Sequence, residues 1–418
     1  MTINSVFVLD TDKKPLTPCS PARARQFLRD GKAAVFRRYP FTIILKVAMP
    51  NAIVKPLTVK IDPGSRHTGF ALVNSDNRAL FGAELEHRGK TIKAALDSRR
   101  AVRRGRRARN TRYRAARFNN RVRAEGWLPP SLQHRVETTM TWLNRFRRWC
   151  NVEFIAVERV KFDMQLMRNP EISGVEYQQG TLQGYSCREY LLEKWRRKCA
   201  YCGAEQVPLQ VEHIHPKAKG GGDAVSNLTL ACEPCNKKKG AQDLSEFLAK
   251  KPDVLKRILA QLKKPLSDAA AVNATRNKLF VELLNTRLPV ETGTGAQTKF
   301  NRIRLEYPKA HWIDAACVGD SGATVTINNN HKPLMIVSRG QGGRQKAVLN
   351  KYGYPIQHRA LRPINGWRNG DIAEYEGKVY SICPRKTGSF ELSGHGKTFS
   401  RTVKKLKRVQ LFDGYKYG

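Results

Sequence analysis

The sequence is short of acid. Across 418 residues, 35 Asp and Glu stand against 76 Lys and Arg, which leaves a formal net charge of +41. Self-repulsion on that scale opposes a compact chain unless a polyanion offsets it, and nucleic acids are the abundant soluble polyanions. Also missing are an apolar run of about 18 residues, a signal-peptide core behind Met1 and a long amphipathic helix with an aromatic face. The expectation is therefore a soluble, cytoplasmic protein with no membrane partner. A disulfide framework is absent too. Of nine cysteines, four fall as Cys199-x2-Cys202 and Cys232-x2-Cys235, which is metal spacing, and the scattered remainder read as free thiols. The length allows roughly two to four domains.

The paired Cys-x2-Cys turns suit a tetrahedral Zn2+ with no open coordination position, hence a structural ion. Between them, "LQVEHI" and "NLTLAC" read as a short hairpin, and "NKKKGAQDLSEFLAK" as the helix after it. With Glu212-His213, the turn-rich "KGGGD", Asn227 and Asn236, this stretch resembles the zinc-stabilised form of the HNH nuclease module over about residues 196–248. The resemblance implies that His213 is the general base, that Glu212 and Asn236 hold one Mg2+, and that Asn227 fixes the loop and the orientation of the base; His215 reads as structural. Such chemistry asks for a neutral imidazole near pH 7 and hard oxygen ligands at the scissile phosphate.

Upstream, "PLTVKIDPGSRHTGFALVNS" is a β-branched run ending in Asp62, a glycine turn and a second apolar run, which predicts a hairpin opening a sheet. A carboxylate at the end of a buried strand is costly unless a metal shares it. "NVEFIAVERV" offers a second such strand ending in Glu158, and "KAHWIDAACVGD" a helix with His311 and Asp314 three apart on one face. Three carboxylates and a His from two strand ends and a helix would make a site for two divalent cations roughly 4 Å apart. This set resembles the RuvC branch of the RNase H-like fold. The resemblance implies that Asp62, Glu158 and Asp314 are Mg2+ ligands and that His311 is general base or proton shuttle.

Residues 88–123 hold 15 Lys or Arg against the single acid Asp97. Basic residues point all round a helix there, so no face can pack on a core, and too few acids are present for an ordinary solvated face. Phosphate contacts are expected from Arg99, Arg100, Arg103, Arg104, Arg106, Arg107, Arg109, Arg112, Arg114, Arg117 and Arg121. Tyr113 and Phe118 could stack on bases or anchor this helix to the folded body, and the anchor is the expectation. From Ser131 to Trp149, apolar residues at Leu132, Val136, Met140, Leu143 and Phe146 predict a core-facing helix.

The order of parts resembles the IscB family, transposon-encoded RNA-guided nucleases related to the CRISPR type II effectors. It implies an α/β multidomain chain, in which a split RNase H-like (RuvC) domain carries an arginine-rich bridge helix and an inserted ββα-metal HNH domain, with a small β-rich C-terminal domain. The expected divisions are a PLMP-like domain at 1–55, RuvC parts at 56–87, 124–190 and 261–325, the bridge helix at 88–123, the HNH domain at 191–260 and the C-terminal domain at 326–418. In "VFVLDTDKKPLTPCSPARARQFLRDGK" the name-giving motif appears as Pro15-Leu16-Thr17-Pro18, with Thr17 in place of Met. The same stretch predicts a helix capped by Ser20, with Pro21 at its first position and Gly31 past its end. Residues 339–418 hold 17 Lys or Arg against 5 acids and read as turns and short strands, barrel-like in outline. There the family implies contacts to guide RNA and to a short target-adjacent motif, and "SRGQGGRQKAVLNKYGYP" could present Arg344, Gln345 and Lys346. The implied activity is RNA-guided, Mg2+-dependent cleavage of double-stranded DNA by a monomer bound to a structured guide RNA, with HNH cutting the guide-paired strand and RuvC the displaced one. A protein-only, structure-selective DNA nuclease of resolvase type is the alternative. A binding-only protein with dead sites is a third reading, disfavoured because every catalytic-type position holds a competent residue.

Overall fold

The computed structural model describes residues 4–109, 113, 122, 124, 126–159, 188, 191–192, 194–263, 269–328, 332–340, 348–352, 354–357, 363–385 and 388–418. The chain forms two compact units, one from residues 1–158 and 278–418, the other from 159–277.

The first unit is built on a seven-stranded sheet. Its centre is an antiparallel meander of β5 (Leu57–Pro63), β6 (His67–Asn74) and β7 (Ala79–Glu86). Two further strands, β8 (Val152–Glu158) and β11 (Val290–Gly293), extend it beyond β5 in parallel, and β12 (Leu334–Ser338) and β20 (Tyr415–Tyr417) extend it beyond β7. Both faces are covered, which is why these strands read as nearly continuous apolar runs. On one face Val59, Ile61, Phe70, Leu72 and Phe81 pack with Val136, Trp142, Leu143 and Phe146. Those four belong to a helix over Pro130–Trp149, at the place its periodicity predicts. On the other, Ala71, Val73 and Ala79 meet Trp312, Ile313 and Ala316 of the short helix His311–Ala316.

The N-terminal residues form a four-stranded sheet, ordered β2 (Pro15–Cys19), β1 (Val6–Leu9), β4 (Thr42–Leu45) and β3 (Ala33–Arg37). With it packs α1 (Pro21–Arg29), whose N-cap Ser20 accepts from the Arg23 N–H at 3.3 Å as expected. Thr17 sits within β2, and its hydroxyl accepts from the Lys55 N–H at 3.2 Å, a bond the Met of the name-giving motif could not make. In the C-terminal stretch, β15 (Ile372–Tyr375), β16 (Lys378–Cys383), β17 (Ser389–Gly394), β18 (Lys397–Thr402) and β19 (Lys407–Gln410) form an antiparallel sheet. It is open, with β18 and β19 at its edges, and so is not a closed barrel. Nor is 326–418 a separate body: β12 and β20, near its two ends, complete the central sheet. That junction is fixed by Asp413, whose carboxylate pairs with Arg37 and, at 3.0 Å, with Arg145, while Tyr39 stacks on Tyr417.

In the second unit β9 (Leu209–His213) and β10 (Leu228–Cys232) form the expected hairpin, with His213 opposite Leu228. The following helix differs from expectation. It begins at Glu233, immediately after β10, and stops at Lys239, because Gly240 turns the backbone to a φ of +52°. A separate turn over Leu244–Phe247 follows under an Asp243/Glu246 capping box.

Two stability predictions follow from the first unit. Asp413→Ala leaves two mostly buried guanidinium groups without their carboxylate, and chemical denaturation should show a loss of about 3–5 kcal/mol. His87 is buried between the hydroxyls of Thr68 and Thr138, at 2.7 and 3.0 Å. Burial, helped by Arg135, lowers its pKa from 6.5 to about 3, so the folded chain keeps it neutral where the unfolded chain protonates it. Its contribution is full above pH 6.5 and is lost progressively as the pH falls from there towards 3. Stability against pH should therefore slope less steeply over that range in His87→Gln than in the parent chain.

Candidate active sites and nucleic-acid surface

Asp62 and Glu158 lie at the ends of neighbouring parallel strands, in a register that pairs Ile61 with Val157. Both are mostly buried, as is Asp314 of the helix His311–Ala316. That helix reaches the sheet because Gly69, the β6 partner of Asp62, has no side chain: a Cβ there would stand 1.9 Å from the His311 carbonyl oxygen. Gly82 likewise makes room for the Trp312 ring. The row Asp62, Gly69, Glu84 crosses three strands, so the start of the helix rests between two carboxylates. Glu84 Oε1 accepts the Trp312 N–H at 3.3 Å, and His311 Nδ1 stands 3.9 Å from Asp62 Oδ2. Asp62 raises the His311 pKa against the effect of burial, and the His67 ring stacks on that of His311 at 5.1 Å. Asp314 is flanked by Arg302 at 2.8 Å and Lys309 at 3.8 Å.

Sequence reasoning missed what lies behind Asp62. Lys60, two residues earlier on the same face, is almost completely buried and donates to the Val318 carbonyl at 3.0 Å and to Ser321 Oγ at 2.6 Å. Burial lowers its pKa to about 8, opposed by Glu291, which accepts from Ser321. These contacts tie down the loop that leaves the helix carrying Asp314. A Lys in a β-branched run was the available signal, but nothing in the sequence said which way it points.

In the second unit the four cysteines converge. Their sulfur atoms lie within 4.8 Å of one another, and Cys202 Sγ stands 3.7 Å from Cys232 Sγ. Sulfur atoms on a tetrahedron around Zn2+, with bonds of about 2.3 Å, are about 3.8 Å apart, so the quartet fits that ion. Among the described residues it is the only group of three or more metal-ligating side chains with ligand atoms this close.

His213 is partly buried, and its Nε2 lies 2.8 Å from Asp223 Oδ1. Asn227 ties the intervening loop: its Oδ1 accepts the His215 N–H, and its Nδ2 donates to the carbonyls of His215 and Gly222. His215 itself contacts Asp243 and the Lys219 carbonyl. The expectation for Glu212 is not met. It is adjacent to His213 in a strand, so its side chain takes the opposite face, and that face is the interior. There Lys239 Nζ donates to one carboxylate oxygen at 2.7 Å and Tyr201 OH to the other. Glu212 as arranged is a buried ion-pair partner and is not free to hold Mg2+. Asn236 donates through its amide nitrogen to Gln210 Oε1 at 2.7 Å.

The arginine-rich stretch contributes α2, over Gly89–Ala108, with every residue from Asp97 to Arg109 exposed. Arg99, Arg100, Arg103, Arg104, Arg106, Arg107 and Arg109 thus all face solvent. Tyr113 is 91% exposed and does not anchor this segment. Arg112, Arg114, Arg117, Phe118, Arg121, Arg344, Gln345 and Lys346 lie outside the described residues.

Bound zinc is directly testable. Released metal should amount to about one Zn2+ per chain, and Cys202→Ser should abolish it and lower the melting temperature of the second unit.

Comparison with known proteins bears on both units. Residues 6–180 match the RRXRR protein family, and Arg103-Arg104-Gly105-Arg106-Arg107 on α2 has that spelling; residues 199–242 match the HNH endonuclease family. No curated protein matches. Similar solved structures include Streptococcus thermophilus Cas9 in complex with the GGAA PAM, at 11% identity and a TM-score of 0.24. Another is Streptococcus thermophilus Cas9 with the AGAA PAM, at 12% and 0.25. Each alignment covers 61% of this chain and 32% of the Cas9 chain, so this protein spans about a third of the length of those chains. TM-scores this low do not establish a common architecture. The two family matches do establish an arginine-rich RRXRR region followed by an HNH endonuclease domain, the pairing that the IscB resemblance implies.

Proposed function

We propose that the protein is an RNA-guided, Mg2+-dependent DNA endonuclease with two nuclease centres. The observation that carries this reading is the presence in one chain of an HNH hairpin and, on a different sheet, of Asp62, Glu158, His311 and Asp314 at two strand ends and a helix. One centre for each strand of a duplex follows naturally. The central sheet, an antiparallel meander extended by parallel strands, supports the assignment of the second centre to a RuvC-type, RNase H-like domain whose halves flank the HNH insertion.

At the RuvC-type centre Asp62, Glu158 and Asp314 would hold two Mg2+ roughly 4 Å apart. When bound, the ions supply electrostatic stabilisation to the attacking and leaving oxygens. The chain's own part is to hold the helix of His311 and Asp314 against the sheet and to place the His311 imidazole for proton transfer. At the HNH centre His213 takes the proton from water and Asn236 contributes its amide oxygen. Because Glu212 is engaged by Lys239 and Tyr201, no step at that centre is routed through it. The exposed arginines of α2 neutralise phosphates of a structured guide RNA, whose pairing with one DNA strand supplies sequence choice. The working particle is a cytoplasmic ribonucleoprotein with one protein chain.

The decisive experiment is purification in moderate salt, sequencing of any copurified RNA, and a Mg2+-dependent cleavage assay on DNA complementary to its variable end, with and without RNase. A required, discrete RNA is expected. Cleavage that survives RNase and prefers branched DNA would favour the protein-only nuclease. His213→Ala should leave a nick only in the displaced strand and Asp62→Ala only in the guide-paired strand. Gly69→Ala should behave like Asp62→Ala while costing about 1–3 kcal/mol in stability, since a Cβ there displaces the helix of His311.

A further inference from the structure

The loop between the two HNH strands holds a carboxylate that neither the sequence motif nor the family match assigns. We infer that Asp223 is the positioning residue of the HNH centre: it fixes the His213 ring through Nε2, so that Nδ1 is the nitrogen presented to the attacking water. The inference rests on the nuclease reading above for its catalytic consequence, but its geometry stands by itself.

Asp223 Oδ1 lies 2.8 Å from His213 Nε2 and Asp223 Oδ2 lies 2.9 Å from Lys217 Nζ. Both carboxylate oxygens are thus engaged, and the carboxylate cannot swing without breaking a contact. An ionised carboxylate only accepts hydrogen bonds, so Nε2 must carry the proton. In a neutral imidazole the lone pair is then on Nδ1, the one nitrogen able to act as a base. The pairing with His213, then with Lys217, holds the Asp223 pKa below its ordinary value, which keeps it an acceptor.

The loop is built to deliver that carboxylate. Asn227 makes three hydrogen bonds across it, to the His215 N–H and to the carbonyls of His215 and Gly222, next to Asp223. Gly221 admits the approach, since a Cβ there would stand 1.8 Å from the His215 carbonyl oxygen. Asp223 is half exposed, so its value is geometric, setting one ring orientation and one tautomer, more than energetic. In the balanced step, water gives its proton to Nδ1 as its oxygen bonds to phosphorus. The bond from phosphorus to the leaving sugar oxygen breaks with its electron pair, and the imidazolium left behind faces the Asp223 carboxylate.

The test uses the full chain with its copurified RNA. Single-turnover nicking of the guide-paired strand and target affinity are measured for the parent, Asp223→Asn and Asp223→Ala, with nicking of the displaced strand as internal reference. Asp223→Ala should slow the guide-paired nick about 10–100-fold at unchanged affinity, as loss of an orienting partner does elsewhere. Asp223→Asn, whose neutral amide can donate as well as accept and so does not fix the tautomer, should recover only part of the rate. A structural role alone would lower stability or both nicks together. In parallel, 15N NMR of histidine-labelled protein, with His213 assigned from His213→Gln, should show the Nε2–H tautomer in the parent and a mixture in Asp223→Ala. An Nδ1–H tautomer in the parent, or a parent-like nick from Asp223→Ala, would overturn the inference. Absence of any guide-paired nick in the parent would instead sink the proposed function, while the tautomer would still decide the Asp223 assignment.

Discussion

The missing side chain at Gly69 is what the first site depends on. A helix can bring His311 and Asp314 to the ends of β5 and β8 only by resting on the sheet at the β6 position opposite Asp62, where a Cβ would stand 1.9 Å from the His311 carbonyl. Contact of this kind leaves no slack, and its geometry passes directly to the side chains. The helix is only six residues long and would not persist alone. Its order comes from Trp312 and Ile313 packing on Ala71, Val73 and Ala79, and from Glu84 accepting the Trp312 N–H. On the exit side, Lys60, Ser321 and Glu291 hold the loop that follows. His311 reaches Asp62 because the surrounding fold over-determines where this short helix can lie.

The second unit reaches the same end by different means. Leu209, Leu228 and Leu230 of the hairpin pack with Leu244, Leu248 and Ile258, and an ion held by the cysteine quartet would add a cross-link to this small core. The buried Lys239–Glu212 pair then joins the helix Glu233–Lys239 to β9, with a second bond from Lys239 to the His213 carbonyl. Breaking one partner of such a pair is costly because the other charge stays buried. His213 is thereby held from its backbone by Lys239 and from its ring by Asp223, while its neighbour Glu212 is committed to the interior.

Much of this was legible in the sequence where a physical signal has a fixed period or spacing. The hairpin of β5 and β6, the strand ending in Glu158, the helix Pro130–Trp149 and the capped helix at Ser20 all came from hydrophobic pattern and turn chemistry. The cysteine quartet came from its Cys-x2-Cys spacing. What could not be read was long-range. Nothing local to residues 334–338 or 415–417 says that these strands join a sheet begun at residue 57, because sheet pairing is settled by packing partners far along the chain. The role of Glu212 was misjudged for a related reason: the motif gives residue types, whereas alternation along a strand sends Glu212 and His213 to opposite faces. Tyr113 fails as an anchor because an aromatic residue within a run of arginines carries no information about whether a core lies beside it.

The shortage of acid acquires its meaning from where the acids are. Asp10, Asp62, Glu158, Glu212, Asp314 and Asp371 are all buried or nearly so. Several act as local hubs: Asp371 accepts the backbone N–H groups of Arg368 and Phe412, and Asp413 gathers Arg37 and Arg145. Carboxylates placed inside do little to screen the lysines and arginines outside. Along α2 from Asp97 onwards that surface becomes a row of exposed arginines. Such a row repels itself and would be stabilised by phosphates, so binding of a polyanion would be coupled to folding through the same charges. Raising the salt then acts in two directions at once. It would weaken any contacts of this surface to phosphates by making counterion release less favourable, and it relieves the self-repulsion of the protein alone.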